Sequence, residues 1–284
     1  MPHTETADDE NVQMRSIRGL YEIGHAGPVP RRALVRRPSP RLADGLLTHL
    51  DRVPVDVDLA MRQWTAYVDV LRDAGWAIVE VDPADDCPDS VFVEDTVVMY
   101  DDLAVITRPG AVVRRPETPG TQLALERLGY RIARIEEPGT LDGGDVLKHG
   151  DTVWVGLGGR TNQGGADQLA ALLHPLGATI VGVPVTLVLH LKSAVTALPD
   201  GTVIGHEPLV DDPSVWPHFF DVPEPDGGHV VVLGKDAVLM ASSAPRTRAM
   251  LEARGLRCHV VDISEFVKLE GCVTCLSVRL RTDP

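Results

Sequence analysis

The sequence predicts an α/β fold built by repetition, and two observations carry that expectation. An amphipathic helix that ends at a glycine and passes at once into a β-rich segment occurs four times, with stop glycines at Gly75, Gly129, Gly177 and Gly255. Further short apolar runs with strand composition stand between these units. Glycine suits the stop position because it takes the left-handed conformation without steric cost. Spacings of about 50 residues point to a propeller or another repeat architecture. Helix–glycine–strand joints are equally at home in a single doubly wound sheet, so the pattern alone leaves both open.

Taken in order, residues 1–30 are first polar and acidic and then rich in glycine and proline. They are expected to form a mobile arm leading to a first strand near Ala33–Arg36. Leu59–Ala74 has helical periodicity, stops at Gly75 and gives way to the strand Trp76–Val81. Thr121–Leu128, Gly129 and Tyr130–Ile135 repeat the unit, as do Ala166–Leu176, Gly177 and Ala178–Val183. Ala244–Arg254, Gly255 and Leu256–Val261 close the series. Intervening strands are expected over Thr96–Tyr100, Ala104–Thr107, Thr152–Val155, His229–Leu233 and Ala237–Met240. The interval between Gly177 and Gly255 is longer than the others and has room for one atypical unit around Pro213–Asp221, five in all.

Composition narrows the function by exclusion. The 284 residues carry 41 acidic against 27 basic side chains, a formal net charge of −14, with 4% aromatics. Such a chain lacks the positive field and the stacking platforms of nucleic-acid binders. No apolar run reaches the roughly 18 residues of a membrane span. The acidic N-terminus is unlike a targeting signal, which implies a cytoplasmic protein with reduced thiols. Four cysteines are too few for a disulfide scaffold, and Cys272 and Cys275 have no second pair to complete a zinc site.

Several residues could carry chemistry. Cys275 lies where a loop feeds the final β-run, and a cysteine there either packs as a small apolar group or serves as a nucleophile. His190 stands in an apolar stretch (LVLHLK), as a satisfied core group or as an acid/base that needs a carboxylate to orient it. Asp89, Glu94 and Asp95 surround what reads as an apolar strand (VFV), and Asp142 and Asp145 flank the glycine pair Gly143-Gly144. Acids in such settings are costly to bury unless they meet a cation, the alternative being solvated turns. Arg114, Arg115 and Arg160 occupy loops bounded by glycine or proline, and their planar forks suit a carboxylate. Neither a phosphate-binding loop nor a dinucleotide fingerprint is present, so no nucleotide cofactor is expected.

Six segments in order, DSVFVED, ITRPG with the following RR, TLDGGDVL, GRTNQGG, LHLKS and EGCVTC, resemble the dimethylarginine dimethylaminohydrolases of the guanidine-modifying (pentein) superfamily. The segments run from Asp89 to Cys275, and the resemblance covers roughly residues 33 to 280. The resemblance implies a five-bladed α/β propeller of ββαβ-type units, one closed catalytic domain over residues 31–284. It implies Cys275 as nucleophile, His190 as general acid/base and Asp142 as the acid that assists it. Asp89, Glu94 and Asp95 match the acids around the substrate guanidinium and amine, and Arg114 and Arg160 the arginines near the substrate carboxylate. Leu269 matches a position whose backbone carbonyl meets the substrate, and Leu47 is placed on a lid-like loop. The implied reaction is cofactor-free and metal-free hydrolysis of a methylated arginine to citrulline and a methylamine through a thiouronium intermediate, in a monomer or homodimer. An arginine deiminase or other guanidino hydrolase is the nearest alternative, and a C-x-x-C thiol redox protein a remote one. Some relatives carry a second cysteine directly after the nucleophile; Leu276 stands there here.

Overall fold

Glycine does stop the four helices as expected: Gly75, Gly129, Gly177 and Gly255 all take positive φ. The structure, a computed structural model, describes residues 31–280, so the expected arm lies outside the described residues. The helix α1 (Val57–Asp73) shows how the local sequence builds each unit. Asp56 caps its N-terminus by accepting from the Leu59 N–H, and Ala60, Trp64, Tyr67, Val68 and Leu71 form its buried stripe. The other helices are α2 (Thr118–Arg127), α3 (Gln163–Leu173), α4 (Pro245–Ala253) and the single turn α5 (Ser264–Val267).

The described strands form five three-stranded sheets. β1 (Arg32–Val35) and β2 (Ala77–Glu80) share the first with the last strand, β15 (Val278–Leu280). β3 (Val97–Tyr100), β4 (Leu103–Ile106) and β5 (Arg131–Arg134) make the second. β6 (Val146–His149), β7 (Thr152–Leu157) and β8 (Thr179–Pro184) make the third. β9 (Val195–Ala197), β10 (Val203–Gly205) and β11 (Phe219–Asp221) make the fourth. β12 (Val230–Val232), β13 (Ala237–Ala241) and β14 (Arg257–Val261) make the fifth. Each sheet repeats one pattern, an inner strand antiparallel to the middle one and the middle parallel to the outer. In the first sheet β15 supplies the inner strand, pairing Arg32 with Leu280 and Leu34 with Val278. Five small sheets of this kind are the α/β propeller and rule out the doubly wound sheet.

The fourth unit is the atypical one. Between β10 and β11 it has short 3-10 turns at Glu207–Leu209 and Pro213–Val215 in place of an α-helix. Pro208, Pro213 and Pro217 explain this, since each removes a backbone donor and blocks a regular helix. Two local expectations change, and a segment without an expected conformation, that around His190, is placed. Val93–Thr96 is a 3-10 turn rather than part of an apolar strand. The segment around His190 bends and turns through Leu191–Ser193. Of the final β-run only Val278–Leu280 is strand, because residues 273–276 form a turn.

Strand direction positions everything that follows. In the second to fifth sheets a tight hairpin joins the inner to the middle strand at one end. In all five, the segments entering the inner strand and leaving the middle strand lie at the opposite end. The inner strands and hairpin turns surround a cavity of about 1020 Å³. No helix among the described residues is long and apolar enough to cross a membrane.

One buried contact locks the C-terminal turn to α1. The Tyr67 hydroxyl donates to the Val273 carbonyl at 2.9 Å and lies 2.7 Å from Ser277 Oγ, all buried. Tyr67→Phe leaves the buried Val273 carbonyl without its donor, while Ser277 Oγ keeps Arg279 Nη1 at 3.2 Å, and should lower unfolding free energy by about 1–3 kcal/mol in a denaturant titration. An unchanged midpoint would show that the contact does not hold the turn.

Candidate active site

Longer connections at the same end of the sheets bring the sequence's candidate residues together. The segment before β3 carries Asp89, Glu94 and Asp95, that before β6 carries Asp142 and Asp145, that before β9 carries His190, and that before β15 carries Cys272 and Cys275. The middle-to-outer connections add Leu46, Arg114 and Arg160. Around one small cavity of about 20 Å³ stand Asp89, Asp95, Arg114, Arg160, His190, Leu269 and Cys275, together with Leu46, Phe92, Leu189, Glu270 and Gly271.

Asp95 sits at the centre. Its Oδ2 accepts from Arg114 Nη1 at 2.6 Å, its Oδ1 accepts from the Gly144 N–H at 2.9 Å, and Oδ1 lies 3.7 Å from His190 Nδ1. Burial raises the cost of this charge, but His190 and then Arg114 outweigh that and hold its pKa down at about 2. The approach requires glycine at 144, where a Cβ would come within 2.6 Å of Asp95 Oδ1 and 2.7 Å of His190 Nδ1. The glycine pair therefore admits a protein carboxylate and imidazole against the backbone.

His190 is fully enclosed by carboxylates. Its Nε2 lies 3.0 Å from Asp142 Oδ2, and Asp142 itself is held by the Gly110 N–H at 2.8 Å. Behind them the Asp142 N–H donates to Thr161 Oγ1, whose hydroxyl donates to Asp145 Oδ2 at 2.6 Å, while the Leu191 N–H donates to Asp145 Oδ1. Burial would lower the histidine pKa, but Asp95 and Asp142 overcome it and raise it to about 9. Burial raises Asp145 to about 6. At neutral pH the site thus holds an imidazolium between two carboxylates. Asp95, Asp142 and His190 also have ligand-type atoms within 4.8 Å of one another, the arrangement a metal ion would need. A metal would require neutral imidazole, and the raised histidine pKa opposes that.

Cys275 lines the same cavity and is buried, with its Sγ 3.1 Å from Cys272 Sγ. That contact, then burial, then the charges of Glu94 and Asp95 push the Cys275 thiol well above its ordinary pKa. Its partner Cys272, accepting the Cys275 proton, is pushed well below. The pair thus favours sharing one proton over losing both.

Four placements sharpen the expectations. Leu47 packs against the hydrophobic core, and it is Leu46 that lines the cavity, its N–H donating to both oxygens of Asp89 at 3.1 Å. Glu94 faces away from the small cavity into the larger one. Its Oε1 pairs with Lys192 Nζ at 2.6 Å and Arg279 Nη2 at 3.4 Å, while Oε2 is buried without a partner. Arg114 reaches the cavity but is anchored, its guanidinium bonded to Asp95, Glu117 and the carbonyls of Asp89 and Phe92. Asp142 stands behind His190, fully buried. Arg160, by contrast, has its Nη2 on Thr48 Oγ1 at 3.1 Å and reaches the cavity from a more open loop.

Sequence reasoning missed Glu270. It takes positive φ, and its carboxylate collects the backbone N–H groups of Thr48, His49 and Leu50. This ties the loop beside Leu46 to the loop that carries Cys275. A 20 Å³ cavity has room for little more than one water.

No family model matches the chain. It is 63% identical over 251 residues to an N(G),N(G)-dimethylarginine dimethylaminohydrolase of Streptomyces coelicolor, covering 88% of this chain and 97% of that protein. It is 34% identical to the enzyme of the same name from Pseudomonas aeruginosa, over 87% of this chain and 98% of that one. Among solved structures, dimethylarginine dimethylaminohydrolase as a histidine-to-glycine adduct with S-methyl-L-thiocitrulline superposes with a TM-score of 0.82 at 33% identity, covering 88% of this chain and all of that one. The N-terminal domain of a cyanobacterial arginine dihydrolase shares the fold, with a TM-score of 0.80 at 20% identity over 89% and 98% of the two chains.

Two measurements test this electrostatic and loop geometry. The His190 ring in the unliganded protein should titrate near pH 9 by NMR; a midpoint at or below the ordinary 6.5 would contradict the carboxylate enclosure. Because the folded value is raised, the histidine's contribution to stability is complete below about pH 6.5 and disappears as pH rises through about 9. Glu270→Ala should speed hydrogen exchange at the amides of Thr48, His49 and Leu50, and unchanged protection would remove its role as a tie.

Proposed function

Because the chain belongs to the dimethylarginine dimethylaminohydrolase family, we propose that it hydrolyses Nω-methylated arginine to citrulline and a methylamine with Cys275 as nucleophile. The observation that carries the residue assignment is the convergence of a cysteine, a charged histidine and a buried aspartate on one cavity, each delivered by a different sheet. Residues 31–284 make up the catalytic unit in this reading. Four free thiols fit a reducing, cytoplasmic setting.

A guanidinium is a resonance-stabilised cation and reacts poorly with a neutral nucleophile. Asp95 and Asp89 offer carboxylates to that cation and replace the hydration it loses. Arg160, on the open side, suits the substrate carboxylate. Arg114 already pairs with Asp95 and Glu117, so it acts by orienting Asp95. Glu94 contributes from behind, through its backbone N–H on the Cys275 carbonyl.

The protonation states give the order of events. Free enzyme holds an imidazolium at His190 and a thiol at Cys275. A bound cation at Asp95 favours the thiolate, the Cys275 proton passing to solvent, and, by competing for the same carboxylate, loosens the proton on His190. The Cys275 thiolate attacks the guanidinium carbon and gives a tetrahedral adduct. His190 protonates the methylamine nitrogen, the C–N bond breaks and the amine leaves. A thiouronium remains on Cys275. Neutral His190 then takes a proton from water as it adds to the same carbon, and collapse releases citrulline and the thiolate. Asp142 holds the ring in place and stabilises its charged form throughout.

A citrulline-release assay over arginine, its methylated forms and agmatine tests the substrate class; turnover of arginine alone would assign a deiminase instead. Cys275→Ser should remove citrulline release, and His190→Gly should lower kcat by at least about 100-fold. Wild-type-like rates in either purified, folded variant would overturn the mechanism. Asp95→Asn should raise KM by about 10- to 100-fold, as the loss of a charge-assisted hydrogen bond implies.

A further inference from the structure

Hydrolysis needs one thiol, yet the site holds two in contact. Cys272 and Cys275 are both buried, and their Sγ atoms lie 3.1 Å apart. The backbone between them closes a turn, with the Cys275 N–H donating to the Cys272 carbonyl at 3.2 Å. A turn of this kind holds its end Cα atoms within about 7 Å, and a disulfide needs about 4.4–6.8 Å. Cys272 also meets Thr274 Oγ1 at 3.2 Å and the Lys192 carbonyl at 3.9 Å, which keep its sulfur aimed at its neighbour. Cys275 lines the small cavity, which puts the pair at the edge of the space a small reagent would enter.

We infer that Cys272 and Cys275 form a reversible modification site, which hydrogen peroxide converts to an intramolecular disulfide that blocks the nucleophile. The loss of hydrolysis rests on Cys275 being that nucleophile; formation of the bond does not. A thiolate of the pair attacks one peroxide oxygen, the O–O bond breaks, and a sulfenic acid and hydroxide result. The other sulfur attacks the sulfenic sulfur, the S–O bond breaks, and the departing hydroxide leaves as water with the second thiol's proton. In sum two thiols and one peroxide give one disulfide and two waters. Whichever sulfur is oxidised first, the other is already in contact and captures its sulfenic acid before a second peroxide drives it to the irreversible sulfinic and sulfonic acids. A dithiol reductant restores both thiols.

The test uses the full chain treated with hydrogen peroxide, alkylated without reductant and mapped by mass spectrometry. Wild type should lose two hydrogens in mass, with Cys272 and Cys275 linked in one peptide. Its citrulline release should fall in step with the linked fraction and return on adding dithiothreitol. Cys272→Ala and Cys272→Ser, each compared with its own untreated rate, should form no link, accumulate sulfonic acid at Cys275 and stay inactive after reduction. Peroxide-inactivated wild type with both thiols unlinked, or equal recovery in wild type and variants, would overturn the modification site. A linked pair that still releases citrulline at the untreated rate would support the link and overturn the nucleophile assignment instead.

Discussion

In every sheet of this protein the inner strand runs against the middle one and the middle runs with the outer, so both long connections emerge at the same end. The site depends on that constraint. Loops before β3, β6, β9 and β15 each bring one piece of reactive chemistry, and loops after β1, β4 and β7 bring the rim. The tight hairpins have no room for a site and stand at the opposite end, around the larger cavity. Pairing of β15 with β1 is essential to this geometry, because the cysteine loop is delivered by the last strand to a sheet begun by the first.

What the loops deliver is a set of buried charges, which folding alone would disfavour. The structure answers by giving each charge several partners. Asp95 has a guanidinium, a backbone N–H and an imidazolium; Asp142 has an imidazolium and the Gly110 N–H; Arg114 has two carboxylates and two carbonyls. Arg114 could not be lysine here, since an ammonium cannot reach two carboxylates and two carbonyls from one planar fork. Gly143, Gly144 and Gly110 serve the same end, because a Cβ at each would collide with the backbone or the charges of a neighbouring sheet.

The repeat was legible because left-handed glycine stops and the helical stripe of α1 are local properties. The fourth unit was legible only by its spacing, its helix having been replaced by proline-rich turns. One short apolar run misled: Val91-Phe92-Val93 is buried in turns, and a fully buried turn has no periodicity to distinguish it from a strand. Six reactive candidates could be named from residue type and motif order, but not their facing. Glu94 and Asp95 are neighbours in sequence, yet a 3-10 turn sends one carboxylate to each cavity. Leu46 meets Asp89 through its backbone N–H, a contact with no side-chain signature to separate it from Leu47. Glu270 works through a positive-φ backbone and three amides far away in sequence, which no local pattern announces.

The net charge of −14 takes on a narrower meaning once the site is in view. A global negative field draws a cationic substrate from a distance, but salt screens it within about 10 Å, and binding is decided inside that range. There the deciding group is the Asp95 carboxylate, already shared between Arg114 and His190. A guanidinium that enters must compete with the imidazolium for it, and the competition has a chemical product. As the imidazolium loses its counter-charge it becomes a better acid, and as a cation arrives beside Cys275 its thiol becomes one too. In the proposed reaction the same displacement prepares both the proton donor and the nucleophile, and it does so only when a cation is bound. A cysteine kept protonated beside Cys272 until that moment spends little time as a free thiolate, which suits a thiol that must survive between turnovers.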